Sequence, residues 1–266
     1  MAGNRFIDAL GARVMLGDGA YGTEFIRRGI PATHPMGELN LKQPQLVLGL
    51  HREYSAAGAE VLKTNTFTAN RLRLRAAGLE ERVKEINGAG AKLAREGARD
   101  GFVVGSVGPL TEFPWKARGD AYREQCEALA EGGCDALLFE TFQNLDDLLK
   151  ALAEGTSTGL PRIALMCSRD ILRYNKLLHH AFEPELVGMN CIPTDKMSKG
   201  VAAIKEAGAQ LSAFPSAGPP WRLFPPDVFA KGVLSLVEAG ARLVGGCCGA
   251  GPDHIRAAAA ALGRPR

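Results

Sequence analysis

Three cysteines are the residues of this sequence best suited to chemistry. Cys191 ends the motif Gly-Met-Asn-Cys, and Cys247 and Cys248 are adjacent in Gly-Gly-Cys-Cys-Gly. Each group follows a short aliphatic run that predicts a buried β-strand. If the strands lie parallel in one sheet, both groups reach the same edge. Three thiolates at that edge match a catalytic zinc site that keeps its fourth position open. We therefore predict that Cys191, Cys247 and Cys248 bind Zn²⁺ and carry the chemistry.

The adjacency of Cys247 and Cys248 raises a geometric objection. Successive side chains on a β-strand point to opposite faces, so two neighbours within a strand cannot grip one ion. Gly245, Gly246 and Gly249 flank the pair, and glycine adopts backbone angles that would let the chain turn and direct both thiols inward. The alternative is that these cysteines are small buried residues in a tight turn, where free cysteine packs well.

The other three cysteines are predicted to be packing residues. Cys126 lies in a predicted helix, and Cys134 begins a predicted strand at the opposite rim. Cys167 follows the fifth strand-like run and could approach the metal site, but we expect a structural role there as well.

Eight strand-like runs alternate along the chain with helical patterns. The runs lie at residues 13–18, 60–64, 102–107, 136–140, 162–166, 186–189, 210–213 and 242–244. The helical patterns lie at residues 45–57, 79–99, 121–132, 145–154, 196–207, 227–239 and 253–262. Residues 167–181 have weak periodicity, and we predict an irregular or short helix there.

This alternation predicts a single-domain (β/α)₈ TIM barrel over residues 1–266. Strands that alternate with helices pair in parallel, and eight such units in about 260 residues most simply close into a barrel. The alternative is an open doubly wound sheet, which often carries G-x-G-x-x-G after its first strand. Residues 18–24 read DGAYGTE instead. Because the active site of a barrel lies at the C-terminal strand ends, all three predicted zinc ligands stand where chemistry is expected.

The composition argues against several classes of protein. The formal net charge is +3 without a run of basic residues, which suggests neither nucleic acid nor an anionic membrane as a partner. We find no signal-peptide pattern and no segment with the roughly 20 apolar residues that cross a bilayer. We therefore expect a cytoplasmic protein, in which cysteines are more often reduced, catalytic or metal-bound than paired in disulfides.

Six motifs occur in order along the chain. They are DGAYGTE at 18–24, TNTF at 64–67, GSVGP at 105–109, FETF at 139–142, GMNC at 188–191 and GGCCG at 245–249. Together they resemble the homocysteine S-methyltransferase family, and within it the homocysteine-binding module of cobalamin-dependent methionine synthase; betaine–homocysteine methyltransferase is a more distant likeness. The resemblance extends over residues 10–262 and implies a zinc-dependent (β/α)₈ barrel.

The resemblance also implies roles for individual residues. Cys191, Cys247 and Cys248 match the zinc ligands of the family. Glu140 matches a carboxylate that receives the amino group of homocysteine, and Asp18 matches a position of the substrate pocket. The residues alone leave an alternative for each carboxylate: Glu140 could cap the following helix, and Asp18 could hydrogen-bond its own loop.

Two further substrate contacts are expected. The loop that contains Gly19, Ala20 and Thr23 offers backbone N–H groups suited to the substrate carboxylate. Ser216 stands in Pro-Ser-Ala-Gly, where members that resemble the methionine synthase module carry Pro-Asn-Ala-Gly. A hydroxyl reaches less far than an amide, so substrate or zinc-site contacts can differ here. The segment after the fifth strand is also shorter than the family pattern.

The resemblance implies that zinc binds homocysteine as a thiolate and that methylation gives methionine. A thiolate is the nucleophile, and zinc coordination deprotonates a thiol. The chain contains no second barrel for folate and no corrinoid domain, so we expect a methyl group from methylcobalamin on a separate corrinoid protein. The alternatives are a small donor such as S-methylmethionine or betaine, another thiol substrate, or a non-catalytic zinc- or thiol-binding barrel. A barrel lyase with a hard divalent ion is disfavoured, because such an ion prefers oxygen ligands.

Overall fold

Eight short parallel strands form the centre of the molecule. The computed structural model describes residues 4–168, 184–206, 210–218 and 223–264. The strands are β1 (Met15–Leu16), β2 (Val61–Lys63), β3 (Phe102–Val107), β4 (Ala136–Phe142), β5 (Arg162–Met166), β6 (Leu186–Pro193), β7 (Leu211–Ser216) and β8 (Ala241–Val244). Each is rich in aliphatic residues and buried on both faces, as expected for parallel strands covered by helices.

The sheet curls until its first strand meets its second. The strand order is β1-β8-β7-β6-β5-β4-β3-β2, and every pair is parallel. A parallel bridge between Gly17 and Val61 joins the two ends of this order. Two main-chain hydrogen bonds support the join, from Asp18 N to Val61 O (3.0 Å) and from Glu60 N to Leu16 O (2.7 Å). The result is a (β/α)₈ barrel.

Helices surround the barrel and connect its strands. The α-helices are α1 (Arg5–Ala12), α2 (Gly22–Arg27), α3 (Leu39–Lys42), α4 (Pro44–Ala56), α5 (Arg71–Leu74), α6 (Val83–Ala98), α7 (Trp115–Glu131), α8 (Leu145–Gly155), α9 (Thr194–Glu206), α10 (Pro226–Glu238) and α11 (Pro252–Ala261). Short 3₁₀ helices occupy Met36–Glu38, Arg75–Ala77, Glu80–Arg82 and Thr156–Thr158. Within the described ranges, no helix is both long enough and apolar enough to span a bilayer.

The barrel interior is a packed core that α1 covers at the N-terminal end. Phe6 and Leu10 of α1 are buried in one cluster with inward-facing strand residues such as Ile163 and Leu243. The ring of Phe6 lies edge-on to that of Phe102, with centroids 5.4 Å apart. The barrel interior at this end is therefore filled with apolar side chains.

The structure confirms the predicted barrel and all eight strands, with differences at element ends. β1 is shorter than predicted. α7 begins at Trp115, earlier than the predicted start at residue 121, because the polar residues before 121 obscure the helical periodicity in the sequence. α1 was not predicted, because its eight residues are too few to show a clear helical period in the sequence. The helix predicted within 167–181 lies outside the described residues from 169 onward. That all of residues 1–266 belong to one domain stays a prediction.

Candidate functional site

A cavity of about 350 Å³ opens at the C-terminal ends of the strands. Its walls come from the C-terminal residues of β2, β3, β4 and β6 and from the segments that follow β1, β2 and β8. They include Cys191, Cys247 and Cys248, together with Glu140 and Lys63. The volume lies at the small end of the range for sites that bind small molecules. The cavity therefore lies at the end of the barrel where active sites of this fold are found.

The three predicted metal ligands converge in this cavity. The sulfur atoms of Cys191, Cys247 and Cys248 all lie within 4.8 Å of one another. Cys191 and Cys247 form a disulfide in the structure, and Cys248 Sγ lies 3.6 Å from Cys191 Sγ. Reduced cysteines were expected from the sequence, so this pairing differs from the expectation. Zn–S bonds of about 2.3 Å in a tetrahedron separate the sulfurs by about 3.8 Å. In their reduced form, these three thiols therefore fit the donor set of a zinc site.

Main-chain hydrogen bonds make the adjacent cysteines face the same way. The N–H of Cys247 donates to Pro215 O (2.8 Å), and the carbonyl of Cys248 accepts from Ala217 N (2.9 Å). Gly249 has a φ of 79°, in the left-handed region that favours glycine. The chain thus leaves the strand alternation at this point. Adjacent cysteines can therefore point into the same cavity, as we predicted from the flanking glycines.

Cys191 is held by an unusual backbone and by its neighbour Asn190. Cys191 and Thr141 have positive φ values of 55° and 68°, a conformation that costs non-glycine residues free energy. Thr141 N donates to Asn190 Oδ1 (2.9 Å), and Asn190 Nδ2 donates to Thr141 Oγ1 (2.8 Å). The same amide nitrogen lies 3.8 Å from Cys247 Sγ and 4.0 Å from Cys191 Sγ. Asn190 therefore positions two of the three sulfurs, a role that the sequence analysis did not assign.

Glu140 reaches the cavity from the end of β4. Its Oε1 accepts a hydrogen bond of 2.5 Å from Ser106 Oγ, and its Oε2 lies 3.9 Å from Lys63 Nζ. The alternative role as a helix cap is wrong, because Asn144 caps α8 by accepting from Asp147 N (3.0 Å). A carboxylate with one oxygen turned toward the cavity suits an ammonium group of a ligand.

Asp18 lies beneath the cavity and is fully buried. Its Oδ2 accepts from Tyr21 OH (2.6 Å) and from Lys63 N (2.7 Å), whereas its Oδ1 has no hydrogen-bond partner. Burial raises the pKa of Asp18 to about 7, against the charge of Lys63 and the two hydrogen bonds. The bond to Tyr21 matches the alternative that Asp18 hydrogen-bonds its own loop. A direct contact with substrate stays a prediction.

The loop after β1 is fastened to the cysteine loop. Ala20 N donates to Ala250 O (2.9 Å), and a Cβ on Gly19 would overlap that same carbonyl. Thr23 Oγ1 accepts from Gly249 N (3.2 Å). Ala20 and Thr23 line the cavity, but the N–H of Ala20 is already engaged. That part of the expected carboxylate site is therefore occupied by the protein itself.

Ser216 supports the cysteine loop from β7. Its hydroxyl donates to Cys248 O (3.1 Å) and accepts from Gly218 N (3.1 Å). The side chain therefore holds the backbone of Cys248, one of the predicted metal ligands. A contact between Ser216 and substrate stays a prediction.

The remaining cysteines differ in their surroundings. Cys126 and Cys134 are buried in the hydrophobic core between sheet and helices, as expected. Cys167 approaches the site, because its Sγ lies 3.9 Å from Cys191 O.

Lys63 lines the cavity, and no role was predicted for it from the sequence. It is the last residue of β2 and is 4% exposed. Its place directly before the TNTF motif was visible in the sequence. A buried lysine in a cavity with acidic and thiol groups is rare enough to need a specific explanation.

Comparison with known proteins identifies the relatives of this barrel. The homocysteine S-methyltransferase family matches residues 15–262. The chain belongs to this family. It is 31% identical over 302 residues to the methionine synthase of Mycobacterium tuberculosis, covering 96% of the chain and 25% of that protein. The methionine synthase of Mycobacterium leprae is also 31% identical, over 304 residues, and covers 97% and 25% respectively. The chain thus spans about a quarter of the length of these two family members.

Solved structures agree with the family's fold. The oxidised form of the homocysteine methyltransferase MmuM from Escherichia coli is 24% identical, with a TM-score of 0.83 over 97% of this chain and 99% of that chain. The metallated form is 23% identical, with a TM-score of 0.81 over 93% and 96%. At this identity the likeness shows a shared (β/α)₈ barrel.

Replacing Asn190 tests its support of the cysteines. Asn190→Ala should lower the affinity of the reduced protein for zinc by about 10- to 100-fold, as loss of groups that orient metal ligands does. Competition with a chromogenic chelator measures this affinity. Asn144→Ala is the matched control, which should cost about 1 kcal/mol of stability through its helix cap and leave zinc affinity unchanged. Equal zinc affinities for wild type and Asn190→Ala would contradict the assigned role.

The raised pKa of Asp18 predicts a pH dependence of stability. The folded state binds the proton more tightly, so this group stabilises the fold below about pH 3.8 and that contribution is lost as pH rises through about 7. In the metal-free, reduced protein, the wild type should lose about 1.4 kcal/mol per pH unit relative to Asp18→Asn across that window. Urea unfolding at several pH values measures the difference, with Asp146→Asn as an exposed control. A difference independent of pH would rule out the raised pKa.

Proposed function

We propose that the chain methylates the thiol of homocysteine to form methionine, with zinc held by Cys191, Cys247 and Cys248. The observation that carries this proposal is the convergence of the three sulfurs, beside Glu140, in one cavity at the barrel mouth. Membership of the homocysteine S-methyltransferase family supports the same acceptor. Bound zinc would supply an open coordination position at which the substrate thiol loses its proton.

The residues of the cavity would bind and orient the substrate. Glu140 would accept the α-ammonium group through Oε2, since Oε1 is fixed by Ser106. Asn190 would keep two sulfurs in place through the bonds described above. Apolar side chains, among them Ile26, Met36 and Phe67, line the rest of the cavity and would limit water around the reacting sulfur.

The methyl donor would approach from above the cavity, and a corrinoid protein is the proposed carrier. Among the described residues, the exposed large hydrophobic side chains are Ile26, Trp115, Phe224 and Val228. They follow β1, β3 and β7, so all four stand at the end of the barrel where the cavity opens. We call them the apolar rim. A protein that docked over this end of the barrel would remove these apolar side chains from water. In the reaction, a lone pair of the deprotonated thiol would form the S–CH₃ bond as the bond between the methyl carbon and its donor breaks, and the electron pair of that bond would stay with the donor.

Cobalt replacement tests the site and the acceptor together. Co²⁺ added to fully reduced protein should give the visible spectrum of tetrahedral thiolate coordination, and L-homocysteine should shift it saturably, because the substrate thiol joins three cysteines. Alanine in place of Cys248 should abolish the thiolate spectrum, whereas alanine in place of Cys126 should preserve it. If cobalt binds through thiolates and homocysteine changes nothing, the substrate is wrong. Absence of thiolate-bound cobalt would reject the metal site.

Methionine formation with different donors tests the carrier. A methylated corrinoid protein should support turnover, and Trp115→Ser combined with Phe224→Ser should raise its KM about ten-fold or more, because buried aromatic anchors dominate protein interfaces. Homocysteine affinity and turnover with free methylcobalamin should not change in that variant. Methionine formed from S-methylmethionine or betaine alone would reject the corrinoid carrier. Tight homocysteine binding without turnover from any donor would support a non-catalytic barrel.

A further inference from the structure

Lys63 places a buried cation at the base of the cavity. Its Nζ donates a hydrogen bond of 3.1 Å to Gly246 O, and it lies 3.7 Å from Asp18 Oδ1 and 3.9 Å from Glu140 Oε2. The ammonium also lies 5.0 Å from the centre of the Phe214 ring, within range of a cation–π contact. These contacts fix the position of the charged end of Lys63.

Lys63 and Glu140 both keep bonding capacity toward the cavity. An ammonium group has three donors, and Gly246 O accepts one of them. Both ion-pair distances of Lys63 to carboxylates exceed hydrogen-bonding distance. Because both residues line the cavity, they offer one cation and one anion side by side to whatever enters it.

We propose that Lys63 binds the α-carboxylate of homocysteine while Glu140 binds its α-ammonium group, so that the pair selects a thiol that carries an amino-acid zwitterion. This inference rests on the proposed function. The two charged groups of such a ligand are attached to a single carbon, and they can meet two protein charges that are close neighbours. The ammonium and carboxylate of such a ligand cancel each other in charge, and each gives one protein charge an opposite partner.

The position of Lys63 relative to the cysteines suits this ligand. Gly246, which accepts the Lys63 hydrogen bond, directly precedes Cys247. The charged end of Lys63 therefore lies close to the cysteine loop. In homocysteine, two methylene groups separate the sulfur from the α-carbon. A short flexible chain of this kind can join the thiol position to the Lys63–Glu140 pair.

The loop after β1 is the competing candidate for the carboxylate, and two of its polar groups already have partners. The N–H of Ala20 already donates to Ala250 O. Thr23 Oγ1 is also engaged, as the acceptor for Gly249 N. An ammonium gives a stronger, charge-assisted bond to a carboxylate than a neutral N–H does, which favours Lys63. The competing explanation for Lys63 is structural: it could only neutralise Asp18 and Glu140.

Binding of three thiols to the zinc-loaded protein separates these explanations. The ligands are L-homocysteine, γ-mercaptobutyrate, which lacks the amino group, and aminopropanethiol, which lacks the carboxylate. All three carry the same thiol, so the contribution of the metal is common to them. Lys63→Met should weaken homocysteine and γ-mercaptobutyrate about 10- to 100-fold, as loss of a charged hydrogen bond does, and leave aminopropanethiol unchanged. Glu140→Gln should weaken homocysteine and aminopropanethiol and spare γ-mercaptobutyrate.

Titration calorimetry gives these affinities, and the cobalt spectrum of each variant checks the cysteine site. Lys92→Met, at an exposed position on α6, is the matched control. Lys63→Gln is the second variant, because it keeps an N–H donor for Gly246 O and should show the same pattern if Lys63→Met does not fold. Equal weakening of all three ligands, or of none, in the Lys63 variants would overturn the carboxylate assignment. If wild type binds none of the three thiols, the proposed function fails as well.

Discussion

The hydrogen bonds that tie the cysteine loop to its neighbours are the constraint on which the site depends. Gly246 N donates to Asp18 O (2.7 Å), and Cys247 N donates to Pro215 O (2.8 Å). These bonds join the loop after β8 to the chain after β1 and to β7. The first depends on closure of the barrel, which pairs β8 with β1, and the second on the pairing of β8 with β7. The two adjacent thiols can then face the same cavity as Cys191, and a metal site can form from residues far apart in sequence.

Closure of the barrel also buries Asp18, Lys63 and Glu140 close together. The sum of their charges influences which ligands can bind in the cavity. Glu140 and Asp18 stand beside one cation, Lys63. Burial without a full set of partners raises the pKa of Asp18 to about 7, so this carboxyl holds a proton part of the time near neutral pH. Three thiolates with a divalent ion would add a further net negative charge. In this setting a ligand whose ammonium and carboxylate cancel in charge adds only the charge of its thiolate to the site.

The sequence was sufficient for the barrel and for the set of cysteines, because both are encoded locally. Each strand is a short aliphatic run, and each cysteine group directly follows such a run. The supporting residues could not be found in this way. Asn190 acts through Thr141, which is far away along the chain, and Lys63 acquires its importance from groups on β1, β4 and the loop after β8. Pairings of this kind depend on strand register and on backbone angles such as the positive φ of Cys191. Neither of these produces a repeating pattern of residues that could be recognised in the sequence.

The Cys191–Cys247 disulfide and a three-thiolate metal site exclude each other, because forming the disulfide oxidises two of the three thiolates that would bind the ion. In the disulfide state, Asn190 and the hydrogen bonds of the glycine-rich loop hold the sulfurs close together, an arrangement that a metal site would also need. A scaffold that brings three thiols together for a cation therefore also brings two of them within bonding reach of each other. A bound metal would then do more than activate a substrate: by occupying the space between the sulfurs, it would keep the cysteines in the thiolate form that the proposed chemistry requires.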